Sequence, residues 1–294
     1  MPSNCQRETR TVSELLQTET RALEKNGVDD PRLDAELLLA DLLDCNRAHL
    51  LAHPERTVPP EARRRFERLI ERRAAREPLQ YLLGEWEFCG RTFVVNDSVL
   101  IPRPETELLV EECLHIVPMG RPARTADVGT GSGAIAVTLA ADRPALDVVA
   151  VDADAAAVEV ARQNARRHEV AHRVRFVKGD LCRPLKAGSL DLVASNPPYI
   201  PTDRLRTLQP EVRDYEPRGA LDGGPDGLAV IRRLLAQAPR VLVPGGWLVM
   251  EIGEGQAGAV RQLAAEDGSY DNDTLETSRD CAGHERVFRA RRAT

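Results

Sequence analysis

The stretch Thr125-Ala126-Asp127-Val128-Gly129-Thr130-Gly131-Ser132-Gly133-Ala134-Ile135-Ala136 constrains this chain more than any other. It reads as a strand ending near Val128, a glycine-rich turn, and an apolar helix beginning around Ser132. Glycines at 129, 131 and 133 allow φ > 0 and a close approach of backbone to a ligand. Taken alone, such a turn is common in α/β proteins. It does not stand alone. A second apolar run, Val148 to Val151, ends in Asp152, nineteen residues beyond Gly133, where an acid suits the two hydroxyls of a ribose. A third, Val174 to Val177, ends in Gly179-Asp180-Leu181, suited to the edge of an adenine ring. Asp152 and Asp180 also read as plain strand-end carboxylates when each is taken by itself. Their succession favours a nucleoside site over coincidence.

A fourth apolar run, Leu190 to Ala194, leads into Asn196-Pro197-Pro198-Tyr199. Two prolines fix φ and lack an N–H, so neither extends a ladder. Asn196 then sits at the rim of a sheet beside rigid backbone carbonyls, able to accept two hydrogen bonds from an –NH2 group and hold its nitrogen for attack. The bland reading of the same four residues is a proline turn. The pattern Gly-x-Gly-x-x-Gly is absent, because the third glycine falls one position early. That argues against NAD and for a cofactor without a pyrophosphate.

Around this centre the chain divides into three. Residues 1–85 read as helical. Thr11-x-x-Glu14 is a capping box ahead of Leu15, Leu16 and Leu23, with Gly27 as the stop. Asp30-Pro31 opens a second helix with Leu33, Leu37, Leu38 and Leu42 on one stripe, and Pro59-Pro60 opens a third through Phe66, Leu69 and Ile70. Residues 86–100 read as a hairpin linker, with Phe88, Phe93 and Val95 in alternation. Residues 101–294 alternate strands and helices, which implies a parallel sheet. Asp222-Gly223-Gly224-Pro225-Asp226-Gly227 reads as a loop, and 266–284 as a long polar loop before the last strand.

Net charge is −6, from 40 basic and 46 acidic side chains, which disfavours a protein built to grip duplex DNA; no stable nucleic-acid partner is expected. No apolar run approaches the ~20 residues that span a bilayer, and Met1 to Thr11 lacks a signal peptide's apolar region. A cytoplasmic address is the expectation. The cysteines at 5, 45, 89, 113, 182 and 281 show no Cys-x-x-Cys spacing, so structural thiols are expected rather than a zinc or redox site. His168 and His172 have no third ligand nearby, and no metal is expected. Arginines 63, 64, 65, 68, 72, 73 and 76 crowd the third helix. They read as a solvated face partnered by Glu61, Glu67 and Glu71, or as a docking surface.

The order of elements, with Pro244-Gly245-Gly246-Trp247 before a late strand, resembles the class I S-adenosylmethionine-dependent methyltransferases. Further motifs narrow the resemblance: Glu77-Pro78-Leu79-Gln80-Tyr81-Leu82-Leu83-Gly84, Leu100-Ile101-Pro102-Arg103-Pro104-Glu105-Thr106-Glu107, Tyr215-Glu216-Pro217-Arg218, and Asp280 with Ala282-Gly283 and Glu285-Arg286-Val287. Together with Asn-Pro-Pro-Tyr they are similar to the HemK-like family, the peptide chain release factor glutamine N5-methyltransferases, over essentially the whole chain.

That resemblance implies a Rossmann-like, mostly parallel sheet with an antiparallel final strand, preceded by a small helical domain whose suspected task is substrate recognition. It implies S-adenosylmethionine as cofactor, becoming S-adenosylhomocysteine, and release factors as protein substrates. Gly129, Thr130, Gly131, Ser132 and Gly133 are then expected under the methionine part, Asp152 on the ribose, and Asp180 and Leu181 at the adenine, with Asn196 also among the cofactor-binding residues. Asn196 and Pro197 would accept the target amide's hydrogens, with Pro198 and Tyr199 completing the substrate pocket. For Asp127 two roles stand: the cofactor's amino group or local backbone. Glu105 and Glu107 are expected near the pocket entrance, and Arg103 at the linker. The competing functions are N6-adenine or N2-guanine methylation, methylation of a ribosomal-protein glutamine, and a non-catalytic S-adenosylmethionine sensor.

Overall fold

The computed structural model describes residues 10–117 and 119–294; Cys5 lies outside them. The chain forms two units. One comprises the chain up to Gly84 together with Gln209–Tyr215, and the other comprises Glu85–Leu208 and Glu216–Thr294.

The first unit is helical: α1 (Val12–Lys25), α2 (Pro31–Leu42), α3 (Arg47–Ala52), α4 (Pro60–Ala74) and α5 (Leu79–Leu83). Thr11 closes the capping box on α1, accepting from the Glu14 N–H while the Glu14 carboxylate accepts from the Thr11 N–H. Leu15, Leu16, Leu23, Leu38, Leu39, Phe66 and Ile70 make the core. Of the stripe on α2, Leu38 is buried and Leu37 and Leu42 pack against the core, while Leu33 is 37% exposed; Asp34, Ala35 and Leu39 complete the buried face. Asp34 turns that face inward because Arg73 of α4 reaches it at 2.7 Å. Arg73 is itself buried and also meets Glu211 at 2.9 Å. Arg76 grips both oxygens of Glu211, at 2.7 and 2.6 Å. The arginine-rich helix thus has two kinds of arginine. Arg64 pairs with Glu61 and Arg63 with Glu67 toward solvent, while Arg73 and Arg76 bind carboxylates inside the unit.

The second unit begins with a hairpin, β1 (Glu85–Phe88) and β2 (Arg91–Val94), turned at Cys89-Gly90 with both φ positive, the geometry that matches strand twist. Then come α6 (Thr106–Ile116), β3 (Ala123–Val128), α7 (Ala134–Asp142), β4 (Leu146–Asp152), α8 (Ala155–Arg167), β5 (Val174–Lys178) and β6 (Leu190–Ser195). After α9 (Pro210–Tyr215), which belongs to the first unit, follow α10 (Ala229–Val241), β7 (Leu242–Glu251), α11 (Ala257–Asp267), β8 (Glu276–Arg279) and β9 (Glu285–Arg291). The sheet order is β5-β4-β3-β6-β7-β9-β8. The first five strands are parallel, and β9 is antiparallel to both its neighbours.

Alternate strand residues face opposite layers. Val128, Val193, Leu248 and Met250 pack toward α10 and α11. Val148, Ala150, Leu192 and Val249 pack toward α6, α7, α8 and the hairpin. Two local expectations are corrected. Pro244-Gly245-Gly246 is a bulge inside β7, since Leu190 pairs with Leu242 and Leu192 with Trp247. The polar stretch 266–284 contains β8, a short edge strand whose polar residues need bury only one side.

His168 contacts the Thr92 carbonyl through Nε2 at 2.9 Å and stacks on Phe93. Cys45, Cys89, Cys113, Cys182 and Cys281 are free thiols. Among the described residues no helix is long and apolar enough to cross a membrane.

Candidate active site

The sheet order reverses between β3 and β6: the chain runs outward through β4 and β5, then returns to build β6 and β7 on the other side. Such a switch point opens a crevice at the carboxyl ends of the strands. A cavity of about 340 Å³ lies there, with Gly129, Thr130, Gly131, Ser132, Asp152, Asp180, Leu181, Asn196 and Pro198 in its wall. Four strand ends separated by up to seventy residues of chain are thus brought together. Gly133, Pro197 and Tyr199 lie outside that wall.

The turn after β3 is anchored by its neighbour, because the Gly129 and Thr130 N–H groups both donate to the Val151 carbonyl, at 2.8 and 3.0 Å. The Gly131 N–H donates to Asp152 Oδ2 at 2.9 Å, and the Asp154 N–H to Oδ1 at 3.0 Å. Burial pushes the Asp152 carboxyl upward against these bonds. Gly133 has a different neighbour from the rest of the turn. It caps α7 at φ 81, and an added Cβ would stand 3.0 Å from Cβ of Ala161. Its small size serves the approach of α7 to α8.

Asp127 is fully buried beneath the turn. Its Oδ2 accepts from the Thr130 hydroxyl at 2.6 Å and the Ala136 N–H at 3.1 Å. Oδ1 is buried with no hydrogen-bond partner among the described residues. Burial, with Asp152 nearby, pushes its carboxyl up to about 7. Local bonding therefore uses one oxygen and leaves the other free. Asp180 is held by Arg233 of α10, whose Nη2 meets both carboxylate oxygens at 2.6 and 2.5 Å, and Leu181 adopts φ 49.

On the β6 side, the Ser195 hydroxyl donates to the Val128 carbonyl at 2.6 Å and locks β6 to β3. Asn196 Nδ2 donates to Thr106 Oγ1 at 3.1 Å, Thr106 donates to Glu251 Oε2 at 2.7 Å, and the Tyr199 hydroxyl donates to Glu251 Oε1 at 3.0 Å. Burial raises the Tyr199 hydroxyl and the Glu251 carboxyl alike. The loop 222–227 clasps Tyr199: an added Cβ at Gly227 would stand 2.3 Å from the Tyr199 carbonyl oxygen, and one at Gly223 2.8 Å from its Cα. Gln256 donates to that carbonyl at 3.0 Å.

Of the motif Arg103–Glu107, Arg103 and Thr106 reach the cavity wall. Arg103 pairs with buried Glu216, whose carboxyl is pushed up by burial. Glu107 turns away from the cavity to accept from the Cys89 N–H at 2.7 Å, bracing the hairpin turn.

Curated relatives match most of this chain. A release factor glutamine methyltransferase from Geobacter sulfurreducens is 45% identical over 281 residues, 96% of each chain. Enzymes of the same name from Nitratidesulfovibrio vulgaris and Moorella thermoacetica are each 46% identical, over 96% of this chain and 95% and 99% of theirs. The chain belongs to the release factor glutamine methyltransferase family. Residues 14–84 match the PrmC N-terminal domain, and 104–208 the Methyltransferase small domain. The fold of the second unit is shared with a methyltransferase from Pyrococcus furiosus, at TM-score 0.53 and 20% identity over 70% of this chain and 91% of that one.

Within this release factor glutamine methyltransferase family member, three residues at the site escape sequence reasoning. Thr106 sits inside a recognisable motif but carries no signal of its own. Glu251 does carry one, an acid within Leu248-Val249-Met250-Glu251-Ile252, since charged residues are buried only when partnered. Arg233 looks like any helix-surface arginine.

Proposed function

We propose that this chain transfers the methyl group of S-adenosylmethionine to the side-chain amide nitrogen of the glutamine in the Gly-Gly-Gln motif of peptide chain release factors. The observation that carries the reading is the placement of Asn196 in the wall of the same cavity as the glycine-rich turn and Asp152, in a chain matching release factor glutamine methyltransferases over 96% of its length. The residues fit the cofactor: open space above Gly131, an acid at the end of β4, and a buried acceptor free on Asp127. When bound, S-adenosylmethionine supplies a methyl group activated on a sulfonium.

Gly129 to Ser132 would hold the methionine part, Asp152 the ribose, and Asp180 with Leu181 the adenine. Asp180 would do so as an arginine-paired carboxylate. The substrate amide is a poor nucleophile because its lone pair is delocalised into the carbonyl. Asn196 Oδ1 and the Pro197 carbonyl would accept its two hydrogens. Charge developing on nitrogen strengthens both bonds, and that difference between ground and transition states is what accelerates the reaction. Tyr199, fixed by Glu251 and the 222–227 loop, would hold the two prolines in place. The proton leaves once the methylated nitrogen is acidic, without a strong general base. The helical part expected at 1–85, joined in the structure by 209–215, would then recognise, the hairpin 86–100 connect, and the rest of 101–294 catalyse; the cytoplasm is the compartment in which a release factor would be met.

The test uses radiolabelled S-adenosylmethionine with a purified release factor and its Gln→Ala variant in Gly-Gly-Gln. Label on the first and none on the second is the expected result. Label on naked nucleic acid or a ribosomal protein instead would overturn the substrate. The Asn196→Ala chain should lose roughly 10²–10³ in kcat, as for removal of a single transition-state hydrogen bond, with little change in cofactor affinity.

A further inference from the structure

Both ends of Asn196–Tyr199 are tied to one buried carboxylate. Glu251 ends β7 at 1% exposure, on the strand adjoining β6. Its two oxygens meet the Thr106 and Tyr199 hydroxyls, at 2.7 and 3.0 Å, and Thr106 in turn meets Asn196. Thr106 is also buried, so bulk water is not on hand to replace these partners.

Counting protons gives this circuit a direction. Each Glu251 oxygen faces one hydroxyl, and in its ionised form the carboxylate only accepts, so in that form each hydroxyl spends its single proton on Glu251. Thr106 Oγ1 then has only lone pairs left, and the group facing it must donate. Of the two ends of the Asn196 amide, only Nδ2 donates. Turning that amide over would set the lone pairs of Oδ1 against those of Oγ1. Oδ1 is thereby the atom Asn196 is left to present, and it has no partner among the described residues. We infer that Thr106 and Glu251 are positioning residues that fix the amide polarity of Asn196, so that the site offers an acceptor rather than a donor. This rests on the proposed role of Asn196 toward a substrate –NH2.

The polarity is what the substrate requires. An incoming amide nitrogen brings two hydrogens, and an inverted Asn196 would meet them with hydrogens of its own. A neutral amide at 251 removes the rule. If its –NH2 faces Thr106, the Thr106 proton must turn to Asn196 and invert it. If its –NH2 faces Tyr199, that hydroxyl loses its acceptor.

The experiment compares Thr106→Val, Thr106→Ser and Glu251→Gln in the full chain, with kcat and both KM values on release factor. Calorimetric affinity for S-adenosylhomocysteine and the melting temperature are measured alongside. Thr106→Val and Glu251→Gln should each lower kcat by roughly a hundred-fold, the scale of a misplaced reacting group, with cofactor KM and product affinity within about threefold. Thr106→Ser, which keeps the hydroxyl, should restore most of the rate. Wild-type kcat in Thr106→Val would overturn the inference, as would a Thr106→Ser chain as slow as Thr106→Val. Should Glu251→Gln not fold, the valine and serine variants decide alone. If wild-type chain labels nucleic acid and not release factor, the proposed substrate fails separately. The same variants are then read on that –NH2 substrate, where unchanged rates again overturn the positioning role.

Discussion

The helical unit and the region around Asp127 and Glu251 hold their carboxylates in different ways. In the helical unit, acids face arginines: buried Asp34 has Arg73, buried Glu36 has Arg32 and Arg47, and half-buried Glu211 has Arg73 and Arg76. Beside the cavity, Asp127 and Glu251 are buried just as deeply, yet their hydrogen-bond partners are hydroxyls and a backbone N–H. The consequence shows in the protonation equilibria. Glu211 is held below the usual carboxylate range by its arginines, in spite of burial, while burial prevails at Asp127 and Glu251. Arginine pairing alone does not decide the balance: burial still prevails at Asp34 beside Arg73 and at Glu216 beside Arg103, whereas Glu211, with two arginines, is held down. A carboxylate held by neutral donors keeps unspent electrostatic capacity, which is what a site handling a cationic cofactor and a polarised amide can use.

The strongest way to break this contrast is Arg73→Ala. It strips a partner from both Asp34 and Glu211, and the loss should be about 5 kcal/mol of unfolding free energy, the upper end for breaking a buried pair. Urea denaturation that shows little change would mean the arginines are ornamental. Asp127→Asn tests the other side. With its carboxyl raised to about 7, Asp127 contributes stability that is full below the ordinary carboxylate range and lost as pH rises through about 7. Wild type should lose up to on the order of 4 kcal/mol more across that window than the asparagine variant, which keeps the raised carboxyls of Asp34, Asp152, Glu216 and Glu251. Melting temperatures at pH 5 and pH 8 decide it, and parallel curves would sink the idea.

A smaller effect sharpens the first comparison. Replacing the pair together, Asp34→Leu with Arg73→Met, should fall within roughly 1–2 kcal/mol of wild type, because no charge is left alone and Glu211 keeps Arg76. A loss equal to that of Arg73→Ala would show that the arginine matters by shape and not by charge. At the low end, Arg166→Ala should leave the melting temperature unchanged, since Arg166 and Glu159 are each about two-thirds exposed.

The alternation of strands and helices and the acids and glycines at strand ends were legible in the sequence because they are local patterns. So were the capping box at Thr11 and the hairpin. What escaped depends on distance along the chain. Thr106 and Glu251 are 145 residues apart, and no periodicity links them. On α2 the stripe holds at Leu37, Leu38 and Leu42 but not at exposed Leu33, and Asp34 is buried for a reason no stripe contains, Arg73 thirty-nine residues on. Gly133 looked like its neighbours at 129 and 131, and only the approach of Ala161 separates its task from theirs. The edge strand β8 carries no apolar alternation, since one side of it faces no core.

The assignment of Gln209–Tyr215 to the helical unit bears on how the gene can be divided. The chain passes from one unit to the other three times, after Gly84, after Leu208 and after Tyr215. A fragment begun at Glu85 would carry Glu211 and Tyr215 without Arg73, Arg76 and the Ala75 carbonyl that they meet. Its mirror image, ended at Gly84, would leave those arginines in a core with no counter-ion from α9. A single cut after Gly84 therefore does not separate the helical unit intact, because it leaves Gln209–Tyr215 behind.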